Sequence, residues 1–556
     1  MSARSVPAGP LGRGLYRLGM KKNVDRLLAE AHSKTGLAKT LTARDLITLG
    51  VAGIIGAGIF VLIGSGIQKA GVMVVPAFIV AAAICAVAGF AYAELAAAIP
   101  ASGSAYAYIY TALGELPGWM VAWALILEYA VGAIAVAIGW RNNLIALVNQ
   151  SARIFSGDHS KDLFANQVAY GFTHSPLETA ISGATTLHGW INIPSILIVL
   201  GCTALLVRGT KESARFTAVL VAIKVAILLL AIGVGFYLFK VGNLADPLPH
   251  YTPASGKPYD VREFGTAVSA VFASAAIMFF AYIGFDSVST TAEETKDPKK
   301  DLPKGILGSL GITTLLYVLA ALALVGAAHW TTFVGDTKAA TDAAGEPFGY
   351  VFEQNGIGWA AVLVRIGALI GTTSVLLVLI LGGVRVFFNM SRDGLLPPWM
   401  SRVSARGAPA STTLFYGAFT MAFAGLLTLG AAVDIVNIGT LFAFFMVILA
   451  TWVFRLRRPD IERPFRMPLW SAINRNGRPY LPILSLLGMA GTAFLVYSLD
   501  RFTILASVVW GGIGLIVYAL YGVRRSREAH EQVQQLASAA GASVARPSLT
   551  IATRDE

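Results

Sequence analysis

The sequence predicts an all-α, polytopic membrane protein with twelve transmembrane helices, and three observations support this. Of 556 residues, 56% are hydrophobic and only 13% are charged, which is more apolar surface than a soluble chain of this length can bury. The apolar residues fall into runs of about 20, enough for a helix to cross roughly 30 Å of hydrocarbon. The alternating pattern of a spanning β-barrel is absent.

The apolar runs set the order of the elements. The first 40 residues are polar and basic, so we expect no cleavable signal peptide. Three parts follow: an N-terminal segment 1–44, a twelve-span domain 45–525 and a polar tail 526–556. The twelve predicted spans are 45–68, 74–99, 118–148, 190–208, 214–240, 265–290, 305–329, 357–390, 410–430, 434–455, 480–499 and 502–523.

The N-terminal segment contains a basic stretch at residues 14–31, "GLYRLGMKKNVDRLLAEA". Its pattern fits an interfacial amphipathic helix on the inner membrane surface, and it fits a disordered tail equally well. The Ala/Ser-rich C-terminal tail is predicted to be loosely ordered.

Basic residues predict the orientation. With the N-terminus inside, the inner segments hold 31 Lys and Arg and the outer ones 9, while Lys224, Arg365 and Arg385 lie within spans. The positive-inside rule then places both termini in the cytoplasm, with the protein in the plasma (inner) membrane. The net charge of +12 attracts the protein to anionic membrane lipids. We therefore expect lipids, and no nucleic acid, as partners.

The first span, "ITLGVAGIIGAGIFVLIGSG" at residues 47–66, contains six glycines. A close-packing helix face favours glycines four residues apart. These lie three, three, two, six and two apart, a spacing that weakens the helix without building a smooth groove. We therefore predict a discontinuous helix.

The sixth span carries a second interruption. Gly284 lies within its apolar run, and Asp286 is too deep for a charge without a partner or water. Interruptions in spans one and six, five apart, indicate a 5+5 inverted repeat in which spans 1–5 correspond to spans 6–10. The two breaks then face each other near the midplane.

Breaking a helix frees backbone groups. A half-helix that starts at a break presents N–H donors and a positive dipole end, which suit a carboxylate. A half-helix that ends there presents carbonyls, which suit an ammonium. The pair of breaks therefore predicts a site for a zwitterionic α-amino acid.

Four stretches resemble the amino acid–polyamine–organocation superfamily, most closely its cationic amino acid transporter branch and the related bacterial amino acid permeases. They are "GVAGIIGAGIFVLIG", "AYAELAAAIPASGSAYAYIY", "FFAYIGFDSVSTTAEETKDPKKDLPKGI" and "RVFFNMSRDGLLP". The resemblance runs from about residue 20 to 525. It implies the 5+5 repeat plus two further spans, alternating access, and sodium-independent amino acid transport driven by protons or by exchange.

The resemblance also implies site residues. The substrate carboxylate is expected at the backbone of Gly56, Ala57 and Gly58. The ammonium is expected at carbonyls near Ile54, Phe280, Ala281 and Ile283. Phe280 resembles the family's aromatic gate, with simple packing as the alternative. Ala57 departs from relatives that have threonine there, so one hydrogen bond to the substrate is in doubt.

Charged and polar residues within the spans add further hypotheses. Burial disfavours a charged amine, and Lys224 matches a span-five lysine of proton-coupled relatives, so the resemblance implies that it couples transport to protons. The alternatives are a permanently charged structural lysine and a lysine that snorkels to the membrane interface. Glu128, with Gly132 one turn on, is expected to bind a cationic side chain or pass protons, or else to be a structural partner. Thr373 and its neighbours are expected to form the floor of the subsite that holds the substrate side chain. The alternative is that their hydroxyls bond back to carbonyls of their own helix.

The predicted function is secondary active, proton-coupled, sodium-independent transport of cationic amino acids by alternating access. The alternative is a neutral or broad-range permease or exchanger. An enzyme is not expected, because no nucleophile–base constellation, metal spacing or phosphate loop occurs, and no cofactor is expected either. A channel or sensor on the same scaffold would lack saturable uptake. Substrate identity, symport against exchange, oligomeric state, a small accessory membrane subunit and the roles of Asp286, Arg365 and Arg385 stay open.

Overall fold

Long apolar helices make up most of the chain, as the apolar runs predict. A computed structural model describes residues 41–99, 104–156, 163–164, 166–182, 185–208, 210–251, 259–260, 264–335, 338–404, 409–468, 474–475, 478–479, 482–499 and 501–526. The predictions for residues 14–31 and for the tail from 527 lie outside these ranges.

The α-helices of the described residues follow in chain order: α1 (Ala43–Ile54), α2 (Ile63–Ala70), α3 (Val74–Ala98), α4 (Ser104–Ala112), α5 (Glu115–Ser156), α6 (Gln167–Thr173), α7 (Ile193–Arg208), α8 (Thr210–Tyr237), α9 (Phe264–Phe279), α10 (Pro298–Ala327), α11 (Lys338–Gly345), α12 (Pro347–Gln354), α13 (Gly358–Arg392), α14 (Ala410–Ala424), α15 (Leu429–Arg457), α16 (Ile483–Tyr497), α17 (Arg501–Val517) and α18 (Val523–Arg525).

Shorter elements join the helices. Two are π-helical turns, Gly58–Leu62 and Tyr518–Gly522. The 3-10 turns are Gly71–Met73, Val241–Leu244, Phe280–Tyr282, Phe285–Glu294, Trp330–Phe333 and Pro398–Ser401. Antiparallel strand pairs are β1 (Thr179–Ser182) with β2 (Thr185–His188), β3 (His250–Tyr251) with β4 (Tyr259–Asp260), and β5 (Asn474–Arg475) with β6 (Arg478–Pro479).

Eight stretches of the described chain are long and apolar enough to cross a membrane. The first of them, Ala43–Ala98, contains the first two predicted spans. The predicted spans four and eleven correspond to the shorter apolar helices α7 and α16, and span nine corresponds to the 15-residue α14. A polytopic helical membrane protein is thus confirmed, while the number twelve stays a prediction.

Several helices were not predicted, because they lie between the apolar runs. Helix α4 lies in the expected loop 100–117, and all nine of its residues are buried. It packs against α5 and α15. Helices α11 and α12 lie between the seventh and eighth predicted spans and pack against the half-helix α2 and the π turn after α1.

The two interrupted helices lie inside a frame of longer ones. Helices α13 and α15 pack along α5, and α10 packs against α1 and α3. Small residues allow this close approach: Gly50 of α1 lies against Ser309 of α10, and Gly305 of α10 lies against Leu46.

The start of α1 is held by hydrogen bonds at one end of the bundle. The Thr42 backbone amide donates to the Asp45 carboxylate at 2.9 Å, as in a capping box. The Leu41 amide donates to the Glu294 carbonyl at 3.0 Å, and the Lys296 amide donates to the Leu41 carbonyl at 2.9 Å. The entry to the first interrupted helix is therefore fastened to the exit of the second.

Candidate functional site

The first interruption follows directly after α1. Ile55 is extended, with φ −72° and ψ 105°, and the π turn Gly58–Leu62 comes next. Such turns are rare and frequent at functional sites. The first amides of a helical segment have no preceding turn to bond, and the amides of Gly56, Ala57 and Gly58 occupy this position.

The second interruption has a different construction. After α9, the 3-10 turn Phe280–Tyr282 ends at Ile283, which is extended with φ −60° and ψ 137°. Gly284 then has φ +115°, a conformation that residues with a Cβ adopt only under strain. The 3-10 segment Phe285–Glu294 continues the chain.

The two breaks touch each other through backbone. A Cβ on Gly284 would lie 2.6 Å from the Gly53 carbonyl oxygen, and one on Gly53 would lie 3.0 Å from the Gly284 carbonyl oxygen. Gly58 packs in the same way on Ala281, without room for a side chain. These glycines therefore serve a backbone-to-backbone contact between the two interrupted helices.

A narrow cavity lies beside this contact. It has space for about one water molecule, so a larger ligand enters only when the surrounding helices move. Its apolar side chains come from four segments of the bundle. The residues that line it are Gly53, Ile54, Ala57, Gly58, Gly132, Val136, Phe280, Ile283, Val375 and Leu379.

Lys224 of α8 binds the first break by hydrogen bonds. Its ammonium donates to the carbonyls of Ala52 and Ile55 and to the Ser374 hydroxyl, each at 2.8 Å. The side chain is fully buried. A protonated lysine has three N–H donors, one for each acceptor, whereas a neutral amine has two. The contact set therefore fits the charged form.

Tyr317 of α10 joins the two breaks. Its hydroxyl lies 2.9 Å from the Ile54 carbonyl and 3.1 Å from the Ala281 carbonyl. Both are carbonyls that the sequence assigned to a substrate ammonium. The hydroxyl has one proton to donate, so it contacts both acceptors without satisfying both.

Glu128 of α5 and Asp286, which follows the second break, are both fully buried. Within the described residues, neither carboxylate oxygen of Glu128 has a hydrogen-bond partner, and neither does Oδ1 of Asp286. Oδ2 of Asp286 accepts a hydrogen bond from the Tyr129 hydroxyl. Two acidic side chains thus lie in the interior with few partners.

The amino acid permease family matches residues 41–523 of the chain. The chain belongs to the amino acid permease family. A branched-chain amino acid permease, BcaP, from Bacillus subtilis (strain 168) is 37% identical over 508 residues, covering 91% of this chain and 98% of the relative. The methylthioribose transporter of the same organism is 35% identical over 511 residues, with the same coverage. The vacuolar cationic amino acid transporter 4 of Arabidopsis thaliana is 34% identical over 447 residues, covering 79% of this chain and 67% of the relative.

These comparisons confirm the superfamily that the four sequence stretches resemble. The permease is an integral membrane protein, and its family consists of transporters, not enzymes. Amino acid transport is the family's activity. The relatives carry different substrates by name, so the substrate of this permease is a separate question.

The structure brings most of the predicted site residues of the permease together. Gly56 and Ala281 lie at the two breaks. Glu128 lies one helical turn before Gly132, which lines the cavity. The predicted residues that line the cavity itself are Ile54, Ala57, Gly58, Gly132, Phe280 and Ile283.

Thr373 is placed differently from the sequence expectation. It is not among the residues that line the cavity, and its hydroxyl donates to the Leu369 carbonyl of its own helix at 2.7 Å. Thr372 does the same toward Ala368 at 2.6 Å. These bonds correspond to the alternative given for the threonines, in which the hydroxyls bond back to their own helix. Val375 and Leu379 of α13 line the cavity instead.

Tyr317, Val136, Val375 and Leu379 were missed by the sequence reasoning. Val136, Val375 and Leu379 cannot be recognised as lining residues from the sequence, because apolar residues of these types fill every span. Tyr317 was detectable only as one of few hydroxyls in the seventh span. The spacing of polar residues in that run does not say which faces inward.

Ion pairs lie at both ends of the bundle. They include Arg365 and Arg385, whose roles the sequence left open. At one end, Arg385 binds Glu294 at 2.6 Å and Arg455 binds Glu94 through its Nε at 2.5 Å. At the opposite end, Arg365 binds Glu346 at 2.5 Å and Glu353 at 2.8 Å. Burial raises the pKa of the Glu346 carboxyl, against the opposing effect of the Arg365 guanidinium.

Proposed function

We propose that the permease carries neutral α-amino acids with apolar side chains by alternating access. The observation that supports this substrate class is the cavity lining, in which the apolar side chains of Val136, Val375 and Leu379 join residues of the two breaks. An apolar pocket with a few placed polar groups favours an apolar ligand portion. This proposal departs from the cationic substrate that the sequence favoured.

The backbone of the substrate is assigned to the breaks. Its carboxylate meets the amides of Gly56, Ala57 and Gly58, at the start of a helical segment whose dipole favours an anion. Its ammonium meets the carbonyls of Ile54 and Ala281, displacing the Tyr317 hydroxyl. The role of Phe280 as a gate is supported by its position in the cavity wall.

Proton coupling is assigned to Lys224. Loss of its proton removes one of three hydrogen bonds and the charge that holds the carbonyls of Ala52 and Ile55. The first break is then released from α8 and α13, and the helices rearrange. We propose proton symport independent of sodium, in which the ammonium takes the role of a bound cation.

The membrane arrangement that goes with this function is twelve spans with a 5+5 inverted repeat, both termini in the cytoplasm and residence in the inner membrane. The lysine and arginine distribution supports the orientation. Cysteines introduced one at a time beside Glu462 and beside Asp246, with a membrane-impermeant thiol reagent in sealed vesicles, test it. Labelling of both from the same side contradicts it.

Cationic amino acids are a second candidate, and one observation favours them. Glu128 is buried without a hydrogen-bond partner in the described chain, one turn from Gly132 in the cavity wall. A guanidinium or ammonium that reaches past Gly132 would meet it. This arrangement requires the cavity to widen toward α5.

A thermal-shift screen of the purified permease decides between these classes, because a ligand that binds the folded state stabilises it by mass action. We expect stabilisation by leucine, isoleucine and valine, and none by arginine, lysine or methylthioribose. Saturable uptake of the stabilising amino acid into vesicles, driven by an imposed pH gradient, then tests transport. Stabilisation by arginine and lysine alone would establish the second candidate instead.

A further inference from the structure

Helices α11 and α12 form a lid on the half-helix α2, which follows the first break. The two lid helices pack against α2 and against the π turn Gly58–Leu62. The backbone of Gly64 in α2 lies directly on Ala344 of α11, so that a Cβ on Gly64 would come within 2.3 Å of the Ala344 carbonyl oxygen. The Gln68 side chain of α2 donates to the Phe333 carbonyl, just before the lid, at 2.8 Å.

Arg365 of α13 attaches this lid to the long helices. Its Nε and one Nη donate to the two carboxylate oxygens of Glu346, at the start of α12, at 2.5 and 2.9 Å. The same Nη lies 2.8 Å from Glu353, near the end of α12. The other Nη donates to the Gln150 side chain of α5. One guanidinium therefore joins the lid to both α13 and α5.

The attachment is buried and closely fitted. The Arg365 side chain is 2% exposed and that of Glu346 is 12% exposed. Gly349 of α12 makes room for the pair, because a Cβ there would lie 3.0 Å from the Arg365 Nε and 3.1 Å from a Glu346 oxygen. Separating a buried ion pair leaves uncompensated charges in a low-dielectric interior. The joint between the lid and α13 therefore resists opening.

The contact of the lid with α2 is of another kind. At Gly64 and Ala344 two backbones touch without a charged group between them, so their separation there leaves no buried charge. The cavity at the breaks has space for about one water molecule, and it must widen to admit an amino acid. Of the two joints, the one between the lid and α2 is the one that separates more readily.

We propose that Arg365 is a positioning residue for the substrate site: it fixes the lid on α13 and α5, as a surface on which α2 closes over a bound substrate and from which α2 separates to release it. Arg365 is not among the residues that line the cavity, so it acts through the lid. The proposal rests on the proposed function only in placing an amino acid at the first break. It assumes neither the substrate side chain nor the proton coupling.

The accessibility of a single cysteine in the lid tests the attachment without any substrate. Ala343→Cys places the thiol on α11, where Ala343 is fully buried, in a background with Cys85→Ala and Cys202→Ala. In purified permease in lipid nanodiscs, adding Arg365→Met should speed reaction with a hydrophilic thiol reagent at least about tenfold, because the lid then opens locally more often.

Arg153→Gln is the matched control for that experiment. Arg153 also binds Glu353, at 3.3 Å, but its side chain is 30% exposed, so its loss should change the reaction rate by less than about twofold. Equal rates with and without Arg365 would overturn the proposal. If Arg365→Met does not give folded protein, Gly349→Ala replaces it, because the added Cβ presses on the ion pair and should also speed the reaction.

A reversible tether tests whether holding the lid is what Arg365 does for transport. The Cβ of a residue at 349 would lie 3.2 Å from the Arg365 Cγ, close to where the sulfur of a cysteine at 365 lies, so Gly349→Cys with Arg365→Cys is placed for a disulfide. Both redox forms of this double variant lack the arginine charge. A difference between them therefore reports on the tether alone.

We expect the reduced double variant to show a KM for uptake at least about fivefold above that of the oxidised form, because α2 then lacks a fixed surface on which to close. The probe is labelled leucine, or labelled arginine if the thermal screen selects it. Gly349→Cys alone should be insensitive to reductant. Equal KM values, with the disulfide verified by mass spectrometry, would overturn the proposal.

The two experiments separate this inference from the proposed function. If cysteine labelling depends on Arg365 as expected but no amino acid is transported, the attachment of the lid stands and the proposed function fails. If amino acid uptake is saturable but neither the labelling nor the KM responds, the inference fails alone.

Discussion

Lys224 and Glu128 are both fully buried, yet their surroundings differ in kind. Three acceptors at 2.8 Å surround the lysine ammonium, whereas the glutamate has no hydrogen-bond partner among the described residues. A buried charge costs free energy unless hydrogen bonds replace its lost hydration. The lysine site is therefore built for a charged group, and the glutamate site is built for a neutral one.

The difference shows at which of the two sites a proton is tied to hydrogen bonds. In the proposed coupling, the proton on Lys224 holds the first break to its neighbours, and its loss releases them. At Glu128 no hydrogen bond that the structure records depends on the proton. A change of protonation at Lys224 would thus break hydrogen bonds, whereas a change at Glu128 would alter the buried charge alone.

Replacement of Lys224 should have the largest effect. Lys224→Met removes the lysine donor from the buried carbonyls of Ala52 and Ile55, which costs about 1–3 kcal/mol for each carbonyl left unsatisfied. The Ala52 carbonyl keeps only the Ser374 hydroxyl at 3.5 Å. We expect proton-driven uptake to fall at least about tenfold, equivalent to about 1.4 kcal/mol, and the protein to denature at lower temperature. Radiolabelled uptake in vesicles and a thermal melt measure these effects.

Lys224→Arg is the control, because it keeps a cation that does not titrate. It should retain more stability than the methionine variant but lose the pH dependence of uptake. Full proton dependence in either variant would remove Lys224 from the coupling mechanism.

The second break should be the next most sensitive position. Gly284→Ala forces a Cβ into φ +115° and to within 2.6 Å of the Gly53 carbonyl oxygen. We expect a loss of about 1–3 kcal/mol in stability, seen as a lower melting temperature in detergent. Gly311→Ala, in α10 with open space around it, is the matched control and should melt no lower than the wild type, because alanine favours a helix more than glycine does.

Removal of the Tyr317 hydroxyl should have a moderate effect. Tyr317→Phe deletes a donor shared by two carbonyls, which costs about 0.5–1.5 kcal/mol of stability. If the hydroxyl competes with the substrate ammonium, substrate affinity should rise by up to about tenfold, as measured by titration calorimetry. Weaker binding in the variant would mean that the hydroxyl instead holds the carbonyls in place for the substrate.

Neutralising Glu128 should have the smallest effect on stability. Glu128→Gln removes no hydrogen bond that the structure records, so the melting temperature near neutral pH should change little. Glu115→Gln should lower it by an amount equal to about 1–3 kcal/mol, because the hydroxyls of Tyr110, Tyr518 and Ser526, which bond the Glu115 carboxylate, then meet an amide. Equal losses in the two variants would contradict the distinction between satisfied and unsatisfied buried acids.

The breaks themselves were predictable, because each leaves a local mark. Irregular glycines in the first span and Gly284 in the sixth interrupt otherwise continuous apolar runs, and the structure interrupts the helices at Ile55 and Gly284. The buried ionisable residues were equally visible, since Lys224 and Glu128 interrupt apolar runs and Asp286 stands at the end of one. The glycines and the ionisable residues can be recognised in the sequence, because each differs in type from the apolar run around it.

The partners of these residues were not predictable. Thr373 was expected at the floor of the side-chain subsite, whereas Val375 and Leu379 line the cavity, because a rotation of α13 by one residue exchanges the two sets. Tyr317 lies on the seventh span, 36 positions from Ala281 and 263 from Ile54. Helix rotation and such distant contacts depend on the packing of the whole bundle.

By itself the sequence determined that this chain crosses a membrane, where two of its helices break and which buried groups are ionisable. Those properties follow from residue composition and local backbone preference, which act within a few positions. Only the tertiary structure decided that the cavity wall is apolar, that Tyr317 already occupies the carbonyls at the breaks, and that Lys224 is fully bonded while Glu128 is not. These outcomes depend on which helix faces are pressed together, and in lipid that choice is made by close packing and buried hydrogen bonds, because burying apolar side chains favours no particular face.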